Sequence, residues 1–175
     1  MSVLVRSDIE GLFADLNQEL SELDVQGQLY LVGGAAMCLA YDARASTRDV
    51  DALFKPSKII REAAARVAIS RGLDDPYWLN DAVKGFMSER AAYNDYLELS
   101  HLKVSVAQAE YLLAMKCLAM RIGEEFQDLK DVRFLLTLLG VDNFERAKEI
   151  IFGFYPESRF PQKTLYALEE ILEEE

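Results

Sequence analysis

The chain has 175 residues, 51% of them hydrophobic and 28% charged, with a net charge of −11. That is apolar material enough for one domain, or one domain with a small helical appendage, and the acidity excludes broad, unaided binding to nucleic acid, where basic surface supplies most of the affinity. No apolar run reaches the length of a membrane span, and "MSVLVRSDIE" has no basic flank before a long apolar stretch, so neither a span nor a secretory signal is expected.

In chain order, Ser7 to Glu10 fits a capping box, and Ile9, Leu12, Phe13, Leu16, Leu20 and Leu23 recur at helical spacing. A first helix is expected from about Asp8 to Leu23. "QLYLV" reads as a strand that Gly33 and Gly34 break, and "AAMCLAY" as a short buried helix. "DVDALF" is a second strand. Its period of two sends Val50, Ala52 and Phe54 to one face and Asp49, Asp51 and Leu53 to the other. Pro56 ends it. Ser57 can cap a helix that turns Ile59, Ile60, Ala63, Ala64 and Val67 inward.

"GLDDPYWLND" is loop-like. After it, Trp78 and Phe86 read as core anchors and Asn80-Asp81 as a helix cap, with substrate contact as the lesser alternative. "YLELSHLKVSV" contains strand material, a hairpin or a bent strand around Ser100-His101. Everything beyond Ala107 reads as helix, punctuated by Gly123, Gly140 and "FYPESRFPQ", with starts at Asp142 and Pro161. Five of the negative charges fall in Glu169–Glu175, a solvated helix end, leaving −6 for the remainder. Cys38 and Cys117 lie in apolar helical patterns. They are expected to be buried thiols in a reducing, cytoplasmic compartment. His101 has no usual zinc spacing to either and is expected to be structural or exposed, with no functional role.

The chemistry concentrates between Leu29 and Phe54. A strand, a Gly-Gly pair and a helix form an arrangement suited to anions, because glycine lets a phosphate approach the backbone. Asp49 and Asp51 share a strand face, so their carboxylates can converge on a hard cation such as Mg²⁺ (or Mn²⁺), which takes oxygen ligands and shares its shell with substrate phosphates. Each feature alone is weak, since a Gly pair is commonly a turn and D-x-D commonly a solvated strand. Their combination describes nucleotidyl transfer.

"LVGGAAMCLAYDARASTRDVDALF" resembles the first two motifs of the polymerase-β-like nucleotidyltransferase superfamily, a Gly-Gly closing one strand and a D-x-D on the next. The spacing from Arg44 through Thr47, Arg48, Asp49 and Asp51 is most similar to the AbiEii-type, toxin-like branch. The resemblance continues through "EYLLAMKCLAMRIGEEFQDLKDVRFLL", where Lys116, Arg121, Asp128 and Asp131 match that branch in order, and it covers about residues 28–139. It implies a small mixed β-sheet core with flanking helices over residues 1–106, an α/β (α+β) fold, followed by a helical bundle over 107–175. It further implies catalytic roles for Asp49, Asp51, Lys116, Asp128 and Asp131, and nucleotide contacts from Gly33, Gly34, Arg48 and Lys116. Metal would be held by Asp49, Asp51 and an acid from a later strand, Glu98 or its rival Asp95.

Lys116 stands out without any family. It is the one charge between Tyr111 and Met120, and a lysine is almost never buried without a partner. It either pairs with Asp128 or Asp131 or receives an anion, and the two roles are compatible. Glu98 alternates with Leu97 and Leu99 and is read equally as a site acid or a solvated strand residue.

The expected activity is Mg²⁺-dependent transfer of NMP from an NTP to a hydroxyl of RNA or protein. The resemblance implies a toxin–antitoxin or phage-defence setting, a cognate toxin or antitoxin partner, and tRNA as one acceptor class. The alternatives are a decayed partner protein and an antitoxin-type enzyme that modifies a protein. Acidity favours the latter, although Arg44, Arg48, Lys84, Arg90 and Lys103 could supply a local basic face.

Overall fold

The computed structural model describes residues 3–123 and 126–174. The chain forms two compact units. One comprises the residues up to Gly85 together with Tyr93–Ala107, and the other comprises Phe86–Ala92 and the chain from Gln108 onward. Glu175, the last of the acidic tail, lies outside the described residues.

The first unit is built on a five-stranded mixed sheet. Its strands are β2 (Gly27–Leu31), β4 (Val50–Lys55), β5 (Leu79–Asn80), β6 (Tyr93–Glu98) and β7 (Leu102–Ala107), in the order β5-β4-β2-β7-β6. β2 runs antiparallel to β4 and parallel to β7, while β6 and β7 form the antiparallel hairpin expected around Ser100-His101. A separate two-stranded pairing joins β1 (Leu4–Val5) to β3 (Ser46–Thr47). It ties the N-terminus to the segment just before the D-x-D.

Three helices belong to this unit: α1 (Arg6–Glu22), α2 (Gly33–Leu39) and α3 (Ser57–Arg71). Leu12, Phe13, Leu16 and Leu20 of α1 are buried, as their spacing requires. The helix starts two residues earlier than the sequence suggests. Asp8 rather than Glu10 closes the first turn, its carboxylate accepting from Val5 N–H at 2.9 Å. In α3 the buried face is Ile60, Ala63, Ala64, Val67 and Ala68, and no side chain caps its start. The guanidinium of Arg6 donates to the carbonyls of Leu39 at 2.8 Å and Cys38 at 3.0 Å, satisfying orphan acceptors at the end of α2.

The second unit is helical: α4 (Ala109–Leu118), α5 (Asp128–Leu139), α6 (Phe144–Phe154) and α7 (Gln162–Glu173). α4 is its centre, with every residue from Tyr111 to Leu118 except Lys116 buried. The Tyr111 ring stacks on Phe154 at 5.2 Å, and its hydroxyl accepts from Ser88 N–H at 3.1 Å. Two expected boundaries shift by one residue. Asn143 caps α6, accepting from Arg146 N–H at 2.9 Å, and Pro161 sits just ahead of α7. No helix among the described residues is long and apolar enough to cross a membrane. Phe86, expected as a core anchor, is 41% exposed.

Candidate active site

The two aspartates keep the geometry that alternation demands. Val50, Ala52 and Phe54 are buried on one face of β4, while Asp49, just before the strand, and Asp51 are half-buried on the other. The Gly-Gly turn lies directly beside them. Val32 N–H donates to the Asp51 carbonyl at 3.0 Å, extending the β2–β4 ladder by one pair. Gly33 follows at φ +62°, a left-handed conformation that an L side chain rarely adopts. A Cβ on Gly33 would meet Asp51 Oδ2 at 2.9 Å, so the absent side chain is what makes room for the carboxylate.

Gly34 is constrained by the fold as well. A Cβ there would sit 2.6 Å from Thr47 Oγ1 and 3.0 Å from an Arg44 guanidinium nitrogen. The space against Gly34 is therefore lined by this chain's own side chains. Thr47 is buried, and its hydroxyl donates to the Asp49 carbonyl at 3.1 Å. The Gly-Gly turn, the Arg44–Thr47 segment and the D-x-D thus form one packed assembly. Arg48 is exposed beside it.

The loop-like stretch before Ala82 hides a strand. Leu79 and Asn80 pair in parallel with Val50 and Asp51, and Val50 N–H donates to the Trp78 carbonyl at 2.7 Å. Trp78 is the core anchor expected of it, with its indole N–H on the Ala64 carbonyl of α3 at 3.0 Å. Asn80 does two things. Its Oδ1 accepts from Ala82 N–H at 3.2 Å, the expected capping role, and its Nδ2 donates to Asp49 Oδ2 at 3.1 Å. The second contact was visible in the sequence only as an unspecific polar residue after a tryptophan.

Burial pushes the Asp49 carboxyl above the ordinary carboxylate range. The Asn80 hydrogen bond opposes this, the charge of Asp75 adds to it, and the charge of Arg48 opposes it. Two same-face carboxylates of this kind are a hard-oxygen donor set, and a cation bound there would favour their ionised forms. They fit an ion such as Mg²⁺ that keeps several waters and takes only one or two carboxylates from the protein.

The structure does not bring Glu98 to this pair. Glu98 is exposed on edge strand β6, and β7 and β2 stand between it and β4, a separation of roughly 14 Å at ordinary strand spacing. Its register partner Lys103 aligns with Gln28 and then Lys55, the end of β4 remote from Asp51. Asp95, on the same strand, is exposed and pairs with Lys103 at 3.2 Å. Period two placed Glu98 on a face, but only strand order could say how far along that face it lies. Among the described residues no group of three or more His, Cys, Asp or Glu side chains is positioned to hold a metal ion.

In the helical unit the Lys116, Asp128 and Asp131 side chains meet. Lys116 Nζ lies 2.6 Å from Asp131 Oδ2 and 3.5 Å from Asp128 Oδ1, and all three side chains are about nine-tenths buried or more. Asp128 Oδ2 also accepts from the Arg121 backbone N–H at 3.1 Å and from Nε at 3.0 Å. Burial alone would raise the Asp128 carboxyl. The Arg121 hydrogen bonds and the charges of Lys116 and Arg121 outweigh it and hold the group below the usual range. Both acids lie in the first turn of α5, where the helix dipole favours negative charge. The Arg121 guanidinium rests over the Phe126 ring at 4.6 Å.

Other candidates are accounted for locally. Lys84 pairs with Asp81, and Arg90 donates to the Gly153 carbonyl at 3.1 Å. His101 contacts Ser100 Oγ at 3.0 Å while its backbone N–H donates to Asn17 at 2.7 Å, a structural role. Both cysteines are free and buried, and burial pushes the Cys117 thiol up to about 12.

Residues 8–156 match the family described as "Nucleotidyltransferase of unknown function (DUF6036)". No curated protein and no solved structure matches the chain.

Proposed function

The chain belongs to this nucleotidyltransferase family, and from that premise we propose that it moves a nucleoside monophosphate from an NTP to a hydroxyl of RNA, tRNA being one such acceptor class, or of a protein. The acceptor oxygen bonds to the α-phosphorus as the α–β bridging P–O bond breaks. Pyrophosphate leaves and the hydroxyl proton passes to solvent. The observation that carries this is the half-buried pair Asp49 and Asp51 on one sheet face, with Asp51 packed against the Gly33 turn.

Asp49 and Asp51 would hold Mg²⁺ or Mn²⁺, which supplies charge neutralisation for the triphosphate and the departing pyrophosphate. Gly33 leaves space for the Asp51 carboxylate. Arg48, which is exposed, is assigned to the nucleotide. Lys116 is assigned to the triphosphate on the strength of the resemblance, with Asp128 and Asp131 orienting it. The resemblance to the AbiEii-type branch adds a cytoplasmic toxin–antitoxin or phage-defence setting and a cognate partner protein.

The test incubates the protein with each labelled NTP, Mg²⁺, and either total tRNA or lysate protein. Label should enter one acceptor class, and Asp49→Asn or Asp51→Asn should abolish it while melting near wild type. Label transfer by both variants at the wild-type rate would overturn the site. A second reading, a partner protein whose transferase site has decayed, draws on the distance of Glu98 from the aspartates. It takes over if the wild type binds no NTP in the presence of Mg²⁺.

A further inference from the structure

Asp49 does not lie within the strand that carries Asp51. It precedes β4, where no ladder fixes its side chain. What holds it comes from both sides. Its backbone carbonyl accepts from Thr47 Oγ1 at 3.1 Å, and its carboxylate accepts from Asn80 Nδ2 at 3.1 Å.

The direction of the Asn80 amide is determined. Its Oδ1 is taken by the Ala82 N–H, which leaves the NH₂ to face Asp49. The position of Asn80 is determined too. β5 is only two residues long, but it is set by the Val50 N–H on the Trp78 carbonyl and by the Trp78 indole on the Ala64 carbonyl of α3. Trp78 is thus anchored to the helix layer and to β4, and two residues along the same backbone Asn80 reaches one oxygen of one carboxylate.

We propose that Asn80 is the positioning residue of the metal site. By occupying Oδ2 of Asp49 it orients the carboxylate so that Oδ1 is the oxygen offered to the cation. The inference rests on the reading of Asp49 as a metal ligand. Its physical content is that a short, otherwise unsupported acid is pre-oriented by a neutral donor. A second carboxylate in that place would repel Asp49, and a cationic donor would compete with the metal. Partners that orient a metal-binding carboxylate commonly contribute tenfold to hundredfold in affinity.

Asn80→Ser separates this role from the capping role. The serine hydroxyl can still accept from the Ala82 N–H, but it has no second polar atom to reach Asp49. The probe is Mn²⁺ alone, titrated into the full chain, with free Mn²⁺ read by electron paramagnetic resonance and thermal melting run on the same samples. The expected result has three parts: wild type binds Mn²⁺, Asp49→Asn loses binding, and Asn80→Ser melts close to wild type but binds about tenfold to hundredfold more weakly.

Wild-type affinity in Asn80→Ser, with Asp49→Asn inactive in binding, would overturn the Asn80 assignment and leave the metal reading standing. No Mn²⁺ uptake by the wild type would overturn both. If Asn80→Ser does not fold, the wild type answers instead. In ¹⁵N-labelled protein the Asn80 side-chain amide resonances should shift on Mg²⁺ titration and stay put in Asp49→Asn. Unmoved resonances in a metal-binding wild type would sink the assignment.

Discussion

A Cβ built on Gly33 would lie 2.9 Å from Oδ2 of Asp51. The turn residue and the carboxylate are nearest neighbours across the β2–β4 pair, and Gly33 also sits at φ +62°. Gly33→Ala therefore meets two penalties. Left-handed backbone costs an L residue about 1–2 kcal/mol, and the methyl must displace the carboxylate. The variant should unfold at lower urea than wild type and bind Mn²⁺ more weakly. A wild-type urea midpoint would show that the turn carries no such constraint.

Gly34 raises a different expectation, because its neighbours are Thr47 Oγ1 and Arg44 rather than open space. Gly34→Ala should lower stability by about 1–3 kcal/mol through overpacking. The loss should be smaller in a Thr47→Ala background, where the clashing oxygen is gone. A double-mutant cycle by urea denaturation measures that coupling, and strict additivity of the two changes would contradict the contact.

Lys116→Met removes the 2.6 Å cationic partner of buried Asp131 and one of the two cations beside buried Asp128. Breaking a buried pair by removing one member costs about 3–5 kcal/mol. Thermal melting should fall accordingly. Replacing both members, Lys116→Met with Asp131→Leu, should recover much of that loss, because a buried pair exchanged for apolar groups of similar volume is often neutral. If Lys116 also holds the triphosphate, NTP affinity stays reduced by about one to two decades in the double variant, the worth of a charge-assisted phosphate contact. Calorimetric NTP titration of the two variants separates the roles. Wild-type affinity in the refolded double variant would assign Lys116 to structure alone.

Asp128 makes a prediction in pH. Its carboxyl is held below the ordinary range, so its contribution is present above the unfolded value of about 3.9 and is lost as pH falls through the lower folded value. Asp128→Asn should melt below wild type at neutral pH. The gap should persist down to about pH 4 and close at still lower pH, where the wild-type carboxylate is protonated as well. Melting curves for both proteins across the acid range check this. A gap that widens on acidification would have the wrong sign.

The alternation Val50, Ala52, Phe54 against Asp49, Asp51 was legible because side-chain direction in a strand is set residue by residue. The buried faces of α1 and α3 were legible for the same local reason. Lys116 could be read as partnered because one charge in an apolar decapeptide cannot be left bare, and Asp128 and Asp131 were the acids within reach of the next helix start. Period and capping chemistry are properties of neighbours in sequence, so they survive without a tertiary structure.

What the tertiary structure decided are relations between segments far apart in the chain. Glu98 had the right face of a strand, but strand order put two strands between it and the aspartates. Asn80 looked like a cap, and a two-residue strand with no period of its own set it against Asp49 from 31 residues away. Gly34 offered close approach to its backbone, and Thr47 and Arg44 pack where its Cβ would lie. In each case the residue type announced a capacity, to bind metal, to donate a hydrogen bond or to permit close approach. Which partner uses it depends on distances that arise only when the sheet assembles, since nothing in the spacing along the chain encodes them.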